Sequence, residues 1–481
     1  MTEGRNEDDM QEKEIDKMKE EVTDDVNSVE LAVYTRRWVI LLIACLAIFL
    51  RGFNQSCYGP INNVFVKFFH IQPWQVDWFI LTQSVVFLSM AFPLSLITAR
   101  IGFKNSYVMM CAGLFLGFAL TTVGVSMRTG YVSVIVGQCI MGFSNIISWS
   151  IPPPTAAIWF ASNEVATAVA LQVVGRGIGE SIGSILTPQI VNPTQTDETI
   201  AFRLMWTFVA VTSIAAVITL ASVFFVKDAP ALPPSEARAQ AISAKENQGN
   251  MQTDDLKTTL KQYAAVVKQL YKDPYFVAVW FVFGAVNPVL RNDSVLLSSV
   301  LHSTFKNIPD LDKKSGYVLM GGWIAYTVGG FIAGPIITKT KKYRPVVLIS
   351  VGLECAATLV VMLGIKYRVL DCVYAGVVTT GLFLGMANTS LFELLVEVTY
   401  PKPTMLVTMV NIVGMGFFRL IYPIIGRVML ARVGPTASCA FPFALTLLST
   451  IILVIIRPQY KRQMAQESEL RRLLEPEESE S

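Results

Sequence analysis

Six charged side chains stand where a membrane-crossing helix would bury them: Arg51, Arg176, Glu180, Arg291, Asp293 and Arg419. Charge inside a hydrocarbon layer is costly, so it is usually paired, faces an aqueous cavity or serves a function. Guanidinium groups hold carboxylate and phosphate through paired N–H bonds, which makes the four arginines candidate contacts for an anionic group. Glu180 and Asp293, with Glu393 further along, are candidate carriers of a coupling proton or cation, and Glu354 is a further candidate. Gln55, Tyr58 and Asn292 lie close enough in sequence to the arginines to orient a bound group. A plainer reading stands beside this one. Arg176 pairs with Glu180 one helical turn away, and Arg291 pairs with Asp293 or Glu393, giving structural ion pairs only.

The elements that must position these residues are apolar helices. The 481-residue chain is 53% hydrophobic and only 16% charged, where a soluble domain carries about a quarter charged residues. More than half of its charges are confined to residues 1–37, 227–273 and 457–481. Crossing a bilayer core takes about 20 apolar residues. Charge-free stretches run 78–99, 105–127, 129–163, 204–226, 315–338, 372–392 and 433–456, the third holding one span and a loop at Pro152–Pro154. Five more apolar segments, 38–59, 165–190, 274–302, 345–366 and 403–426, are interrupted by isolated charges. The sum predicts an all-α membrane protein of twelve transmembrane helices in two six-helix halves. Such a chain is not a soluble enzyme, and a net charge of +3 gives no reason to expect a nucleic-acid partner.

The expected organisation is a disordered, acidic cytoplasmic N-terminus (1–37), an N-terminal half (38–226), a cytoplasmic linker (227–273), a C-terminal half (274–457) and a cytoplasmic tail (458–481). Lys and Arg favour the cytoplasmic loops. Arg36, Arg37, Arg100, Lys104, Lys339, Lys341, Lys342, Arg344, Arg457, Lys461 and Arg462 place both termini in the cytoplasm. Lys306, Lys313, Lys314, Lys366 and Arg368 are exceptions on the opposite loops. The acidic first 30 residues and the long apolar run after them do not read as a cleavable signal peptide. Spans 1 and 7, and spans 5 and 11, hold equivalent places in the two halves. At about 1.5 Å rise per residue, each arginine lies roughly 16–24 Å along its helix, so the four form two repeat-related pairs.

Gly175, Gly179 and Gly183 recur every fourth residue on span 5, a spacing that lets helices approach closely. The seven cysteines fall in or beside spans without a Cys-x-x-Cys pair and read as packing residues, so neither a metal nor a cofactor is expected. His70 and His302, the only histidines, close spans 1 and 7. They read as helix-end residues or, alternatively, as a haem-iron ligand or a proton-sensing gate.

With the helices placed, several stretches resemble one transporter group of the major-facilitator type, the feline leukaemia virus subgroup C receptor-related family. They are Tyr34-Thr-Arg-Arg-Trp38, Tyr58-Gly-Pro-Ile-Asn-Asn63, Asp77-Trp78, Ala156-Ala-Ile-Trp-Phe160 with Glu164 and Thr167, and Phe392-Glu-Leu-Leu-Val-Glu-Val-Thr-Tyr-Pro401. Arg100, Gly102 and Lys104 hold places in the superfamily's basic-glycine loop, with Ala99 where an aspartate is usual. The resemblance implies alternating access around a central site. The family is associated with choline and ethanolamine movement, haem export and, in an endolysosomal relative, a vitamin. Aligned on Tyr58–Asn63, its cage tryptophan falls on Gln55, a neighbouring asparagine on Arg51, its cavity glutamines on Gly177 and Gly416, and an aromatic near Arg291–Asn292.

Arginine repels a quaternary ammonium, so a haem-like or other organic anion is expected ahead of choline, another organic cation or a vitamin. A non-transporting receptor or sensor on the same scaffold is the rival from another class. The chain is expected to be a monomer in the plasma membrane or an endolysosomal membrane. The tail sequence Glu469-Leu-Arg-Arg-Leu473-Leu474 fits an acidic dileucine sorting signal or an amphipathic helix. If the arginines contact substrate, Arg51→Gln or Arg291→Gln abolishes transport at unchanged membrane abundance. Equal loss of folded protein marks the residue as structural.

Overall fold

Backbone groups in a bilayer core must find partners within their own segment, which leaves helices as the way for stretches this apolar to cross. The computed structural model describes residues 32–127, 130–235, 238–239, 264–306, 308–340, 342–402, 404–456, 460–461 and 463–464. Their regular structure is helical throughout. The first 30 residues, most of the linker and the Glu469–Leu474 hexamer lie outside the described residues.

The helices are α1 (Arg36–Ser56), α2 (Asn62–Phe69), α3 (Pro73–Ile101), α4 (Phe103–Ser126), α5 (Tyr131–Ser150), α6 (Pro152–Trp159), α7 (Val165–Ile190) and α8 (Asp197–Phe225). After the linker come α9 (Pro274–Val286), α10 (Val289–Thr304), α11 (Leu311–Thr340), α12 (Tyr343–Tyr367), α13 (Leu370–Thr399), α14 (Thr404–Arg432) and α15 (Pro435–Ile455). Among the described residues, 11 helical segments are long and apolar enough to cross a membrane, with α9 and α10 counted together. The fifth expected span, α7, is not among them. At 26 residues it is long enough, but Gln172, Arg176 and Glu180 lower its mean hydropathy. The loop expected at Pro152–Pro154 is instead the start of α6, where proline suits a first helical turn because the N–H it lacks has no partner there.

Two spans are broken, and both breaks lie beside candidate site residues. The first divides between α1 and α2 at Tyr58-Gly59-Pro60, where Pro60 cannot donate to a helical ladder. The seventh divides between α9 and α10 at Asn287–Pro288. The first break packs its backbone against α10, for a Cβ on Gly59 would overlap the Ser294 carbonyl. The glycine ladder on α7 explains the closest pairing in the first eight helices: Cβ atoms at Gly175, Gly179 and Gly183 would meet the carbonyls of Cys45, Phe49 and Phe53 on α1. Small residues here bring Arg51 of α1 alongside Arg176 and Glu180 of α7.

Helices α1–α8 pack mainly among themselves, as do α9–α15, and two seams join the sets: α7 against α11 and α3 against α14. Apart from bonds made by Arg291 at mid-bundle, polar links between the sets gather at one end of the bundle. Arg427 on α14 binds Asp77 on α3 through Nε and Nη2, each at 2.6 Å, and Asn62 donates to the same carboxylate at 3.3 Å. Asp312 accepts from Ser298 at 2.9 Å and from Asn63 at 3.5 Å, with His302 Nε2 at 2.8 Å. Gln189 donates to the Tyr317 hydroxyl at 3.0 Å.

At the other end, the links stay within one set. Arg37 binds Glu164 at 2.5 Å, the Lys104 amide donates to Asp228 at 2.9 Å, and Lys461 binds Asp273 at 2.8 Å. Partial burial acts to raise the Asp273 carboxyl, but the bond from Lys461 and the Tyr275 amide outweigh it and hold the carboxyl below its usual value.

The arrangement is therefore latched at the Asp77–Arg427 end. Removing one partner of a buried ion pair costs about 3–5 kcal/mol, enough to change a conformational equilibrium more than tenfold. In a cysteine-free background carrying V295C, on α10 in the wall of the central cavity, Asp77→Asn is expected to raise labelling by an impermeant maleimide, added from the Asp77 side, at least tenfold. Unchanged labelling excludes the latch.

Candidate functional site

The site is built where the α1–α7 contact, the broken α9–α10 span and α14 converge. Trp149, near the end of α5, organises it. The Arg176 guanidinium carbon lies 3.8 Å from its ring centroid, that of Arg419 5.7 Å and that of Arg51 6.0 Å. The fourth arginine, Arg291, lies 4.6 Å over Trp323 of α11, whose indole N–H donates to Ser294 at 3.2 Å. A cation over an indole face is attracted by the ring's electron density, more strongly once water is excluded. Four mutually repelling guanidiniums are thus distributed over two tryptophans.

One carboxylate enters the group. Glu180, 1% exposed, forms an ion pair with Arg291 Nη2 across from α7 to α10. Nη1 of the same arginine points to the Gln55 carbonyl at 3.5 Å. This corrects the pairing expected from sequence: Arg291 is joined to Glu180, not to Asp293 or Glu393, and the ion pair of Glu180 is with Arg291 rather than with its helical neighbour Arg176. Arg51 differs from the rest. It is 3% exposed, and Nε, Nη1 and Nη2 all lack a hydrogen-bond partner among the described residues. Leaving so many donors of a buried cation unsatisfied is expensive, so an unfilled demand for acceptors is built into the site.

Gln55, Ser84, Phe87, Asn145, Arg291, Gly416 and Arg419 line a narrow cavity of about 10 Å³, room for about one water molecule. Its neutral wall is a buried amide network. Gln55 donates to Gln83 at 2.7 Å, Gln83 to Gln138 at 2.7 Å, and Gln138 to the Tyr58 hydroxyl at 2.7 Å. Tyr58 in turn donates to Asn54 at 3.1 Å, and its ring is enclosed by Phe65, Phe79 and Phe208. These bonds fix the orientation of Gln55 and keep Tyr58 in the wall.

The structure thus brings together Arg51, Gln55, Arg176, Glu180, Arg291 and Arg419, with Tyr58 just behind Gln55. It does not bring the others to them. Asn292 and Asp293 face a separate cavity between α10, α12 and α15. Glu393 is exposed on α13 and Glu354 fully buried on α12. His70 is exposed, and His302 is engaged with Asp312 in the latch. Sequence reasoning missed Gln83, Gln138, Asn145 and Arg427. The three amides carry no charge, so reading the intervals between charges passes over them. Arg427 reads as an ordinary helix-end residue until Asp77 is seen opposite it.

A family model described as Major Facilitator Superfamily matches residues 44–402. The human choline/ethanolamine transporter FLVCR2 is 22% identical over 94% of this chain and 83% of its own length. The cat choline/ethanolamine transporter FLVCR1 is 25% identical over 78% of this chain and 64% of its own. An uncharacterized MFS-type transporter of Caenorhabditis elegans, C09D4.1, is 24% identical over 91% and 72%. Among solved structures, a D-xylose-proton symporter superposes with a TM-score of 0.67 at 11% identity, covering 88% of this chain and 98% of that one. A bacterial homologue of the human lysosomal transporter Spinster, inward-facing and unoccupied, gives 0.60 at 11% identity over 88% and 96%. At such identities the structures speak for the fold alone, which agrees with the helices and seams described above. The chain belongs to the Major Facilitator Superfamily, as a divergent multi-pass transporter related to the FLVCR choline/ethanolamine transporters.

Proposed function

We propose that this transporter moves a small organic anion by alternating access, with Arg51, Arg176, Arg291 and Arg419 as its contacts and Gln55 orienting it. The observation that carries this reading is Arg51, a buried guanidinium whose every nitrogen lacks a partner. A carboxylate or phosphate supplies two or more acceptors in the geometry a guanidinium prefers. Among the described residues, only Glu180 offsets the four arginines by direct pairing, which leaves an excess of positive charge for a ligand to balance. Haem is a weaker fit than a smaller acid, because His70 and His302 stand apart from the arginines.

The second reading is a choline-like cation, supported by the names of the relatives. Against it, the indole face such a cation would use is already covered by Arg176 at 3.8 Å. Following the distribution of Lys and Arg, both termini are assigned to the cytoplasm of a plasma-membrane or endolysosomal protein. The latched Asp77–Arg427 end is then exoplasmic.

Uptake into proteoliposomes of a labelled organic-acid panel and of labelled choline, at two pH values, tests the reading. An acid is expected to accumulate, with Arg51→Gln lowering its uptake at least tenfold. Choline uptake that no acid inhibits would sink the anionic preference, and saturable binding without accumulation would favour a receptor. Stability gives an independent check. Replacing a whole buried ion pair by well-packed apolar residues is often neutral or stabilising by roughly 1–4 kcal/mol, and an unpartnered guanidinium has no pairing to lose. Arg51→Met is therefore expected to raise the unfolding temperature of the purified protein while abolishing uptake. A lowered temperature assigns Arg51 a structural role.

A further inference from the structure

The geometry points to a second site: we propose that Asp293, in a small cavity of the α9–α15 set, and Glu354, one turn beyond its wall on α12, bind protons apart from the arginine cavity. A cavity of about 20 Å³ lies between α10, α12 and α15, with Asn292, Asp293, Thr358 and Ser438 among otherwise largely apolar walls. Its polar atoms are mostly acceptors. Asn292 is 5% exposed and its Oδ1 has no partner. The Ser438 hydroxyl spends its hydrogen on the Gly426 carbonyl at 2.9 Å, and Thr358 donates to the Cys355 carbonyl at 2.8 Å beside the Thr446 hydroxyl at 3.2 Å, so neither gives its proton to the cavity.

One turn before Thr358 on α12, Glu354 is 0% exposed and neither carboxyl oxygen has a partner. Among the described residues, no ion pair involves Asp293 or Glu354, whereas Glu180, Asp77 and Asp312 are held by Arg291, Arg427 and His302. The titratable groups facing the two acids are Cys439 of α15 towards Asp293 and Tyr422 of α14 towards Glu354, with Cys355 beside it. Neither thiol nor phenol compensates a carboxylate.

An unpaired ionised carboxylate so buried costs several kcal/mol, and protonation removes that cost. A hard metal cation wants about six oxygen ligands or more, beyond what this cavity offers, while a proton needs one. The step is simple: a carboxylate takes up one proton from water and returns it, with no other bond changed. Asp293, partly exposed and lining the cavity, is placed to exchange with water, while Glu354, fully buried without a partner among the described residues, would hold its own proton. A coupling role for this pocket rests on the transport reading, whereas proton binding does not.

The test is infrared spectroscopy of the full chain in lipid nanodiscs, titrated between about pH 5 and 8. The wild type is expected to show the C=O band of protonated carboxyl groups. Glu354→Gln and Asp293→Asn are each expected to lose one component of it. Three outcomes overturn the proposal: no such band in the wild type at any pH, a band unchanged in both variants, or carboxylate bands that respond to added sodium but not to pH. The wild-type spectrum decides even if a variant fails to fold. Because no substrate is needed, a negative result leaves alternating access standing, and a failed uptake assay leaves this result standing.

Discussion

The ion pair between Arg291 and Glu180 is the contact on which the centre of this molecule turns. It joins the broken seventh span to the glycine-laddered fifth, tying one set of helices to the other at the depth of the site. Each partner answers the other's desolvation, so neither can be changed alone without leaving a buried charge. Around this fixed pair the other three guanidiniums are held by Trp149 rather than by carboxylates. Aromatic faces attract cations without neutralising them, and the cluster keeps its net positive character.

Much of the fold was legible because charge is both scarce and segregated in this sequence. The stretches free of charge became α3, α4, α5, α8, α11, α13 and α15, and the interrupted ones became the helices that carry the site. What escaped was governed by features without a charge signature. The break at Tyr58-Gly59-Pro60 follows from one proline and one glycine. The extension of α5 into α6 depends on prolines that suit a first turn as well as a loop. The hydropathy of α7 fell short for the very residues that make it interesting.

The site was legible in part for the same reason. Arg51, Arg176, Glu180, Arg291 and Arg419 do lie together, but their pairing is a three-dimensional matter. On α10, Arg291 and Asp293 are two residues apart and so face different neighbours, about 200° around the helix from each other. Spacing alone therefore could not say that one meets Glu180 and the other a separate cavity. Gly177 and Gly416 also acquire local reasons. A Cβ on Gly177 would collide with Thr327, while Gly416 opens the cavity wall beside Phe87. The first lets α7 and α11 approach closely, and the second keeps the cavity wall open.

The stacking of guanidiniums on Trp149 has a consequence for energetics across the whole membrane. A unit charge that moves through the full membrane potential changes its energy by roughly 2.3 kcal/mol per 100 mV. On the proposed reading, an empty carrier presents its uncompensated arginines to that field, while a carrier loaded with an anion presents fewer charges. Voltage then acts unequally on the two return strokes of the cycle. The resting potential of the host membrane then helps to set which stroke limits the rate, through side chains that never leave the protein.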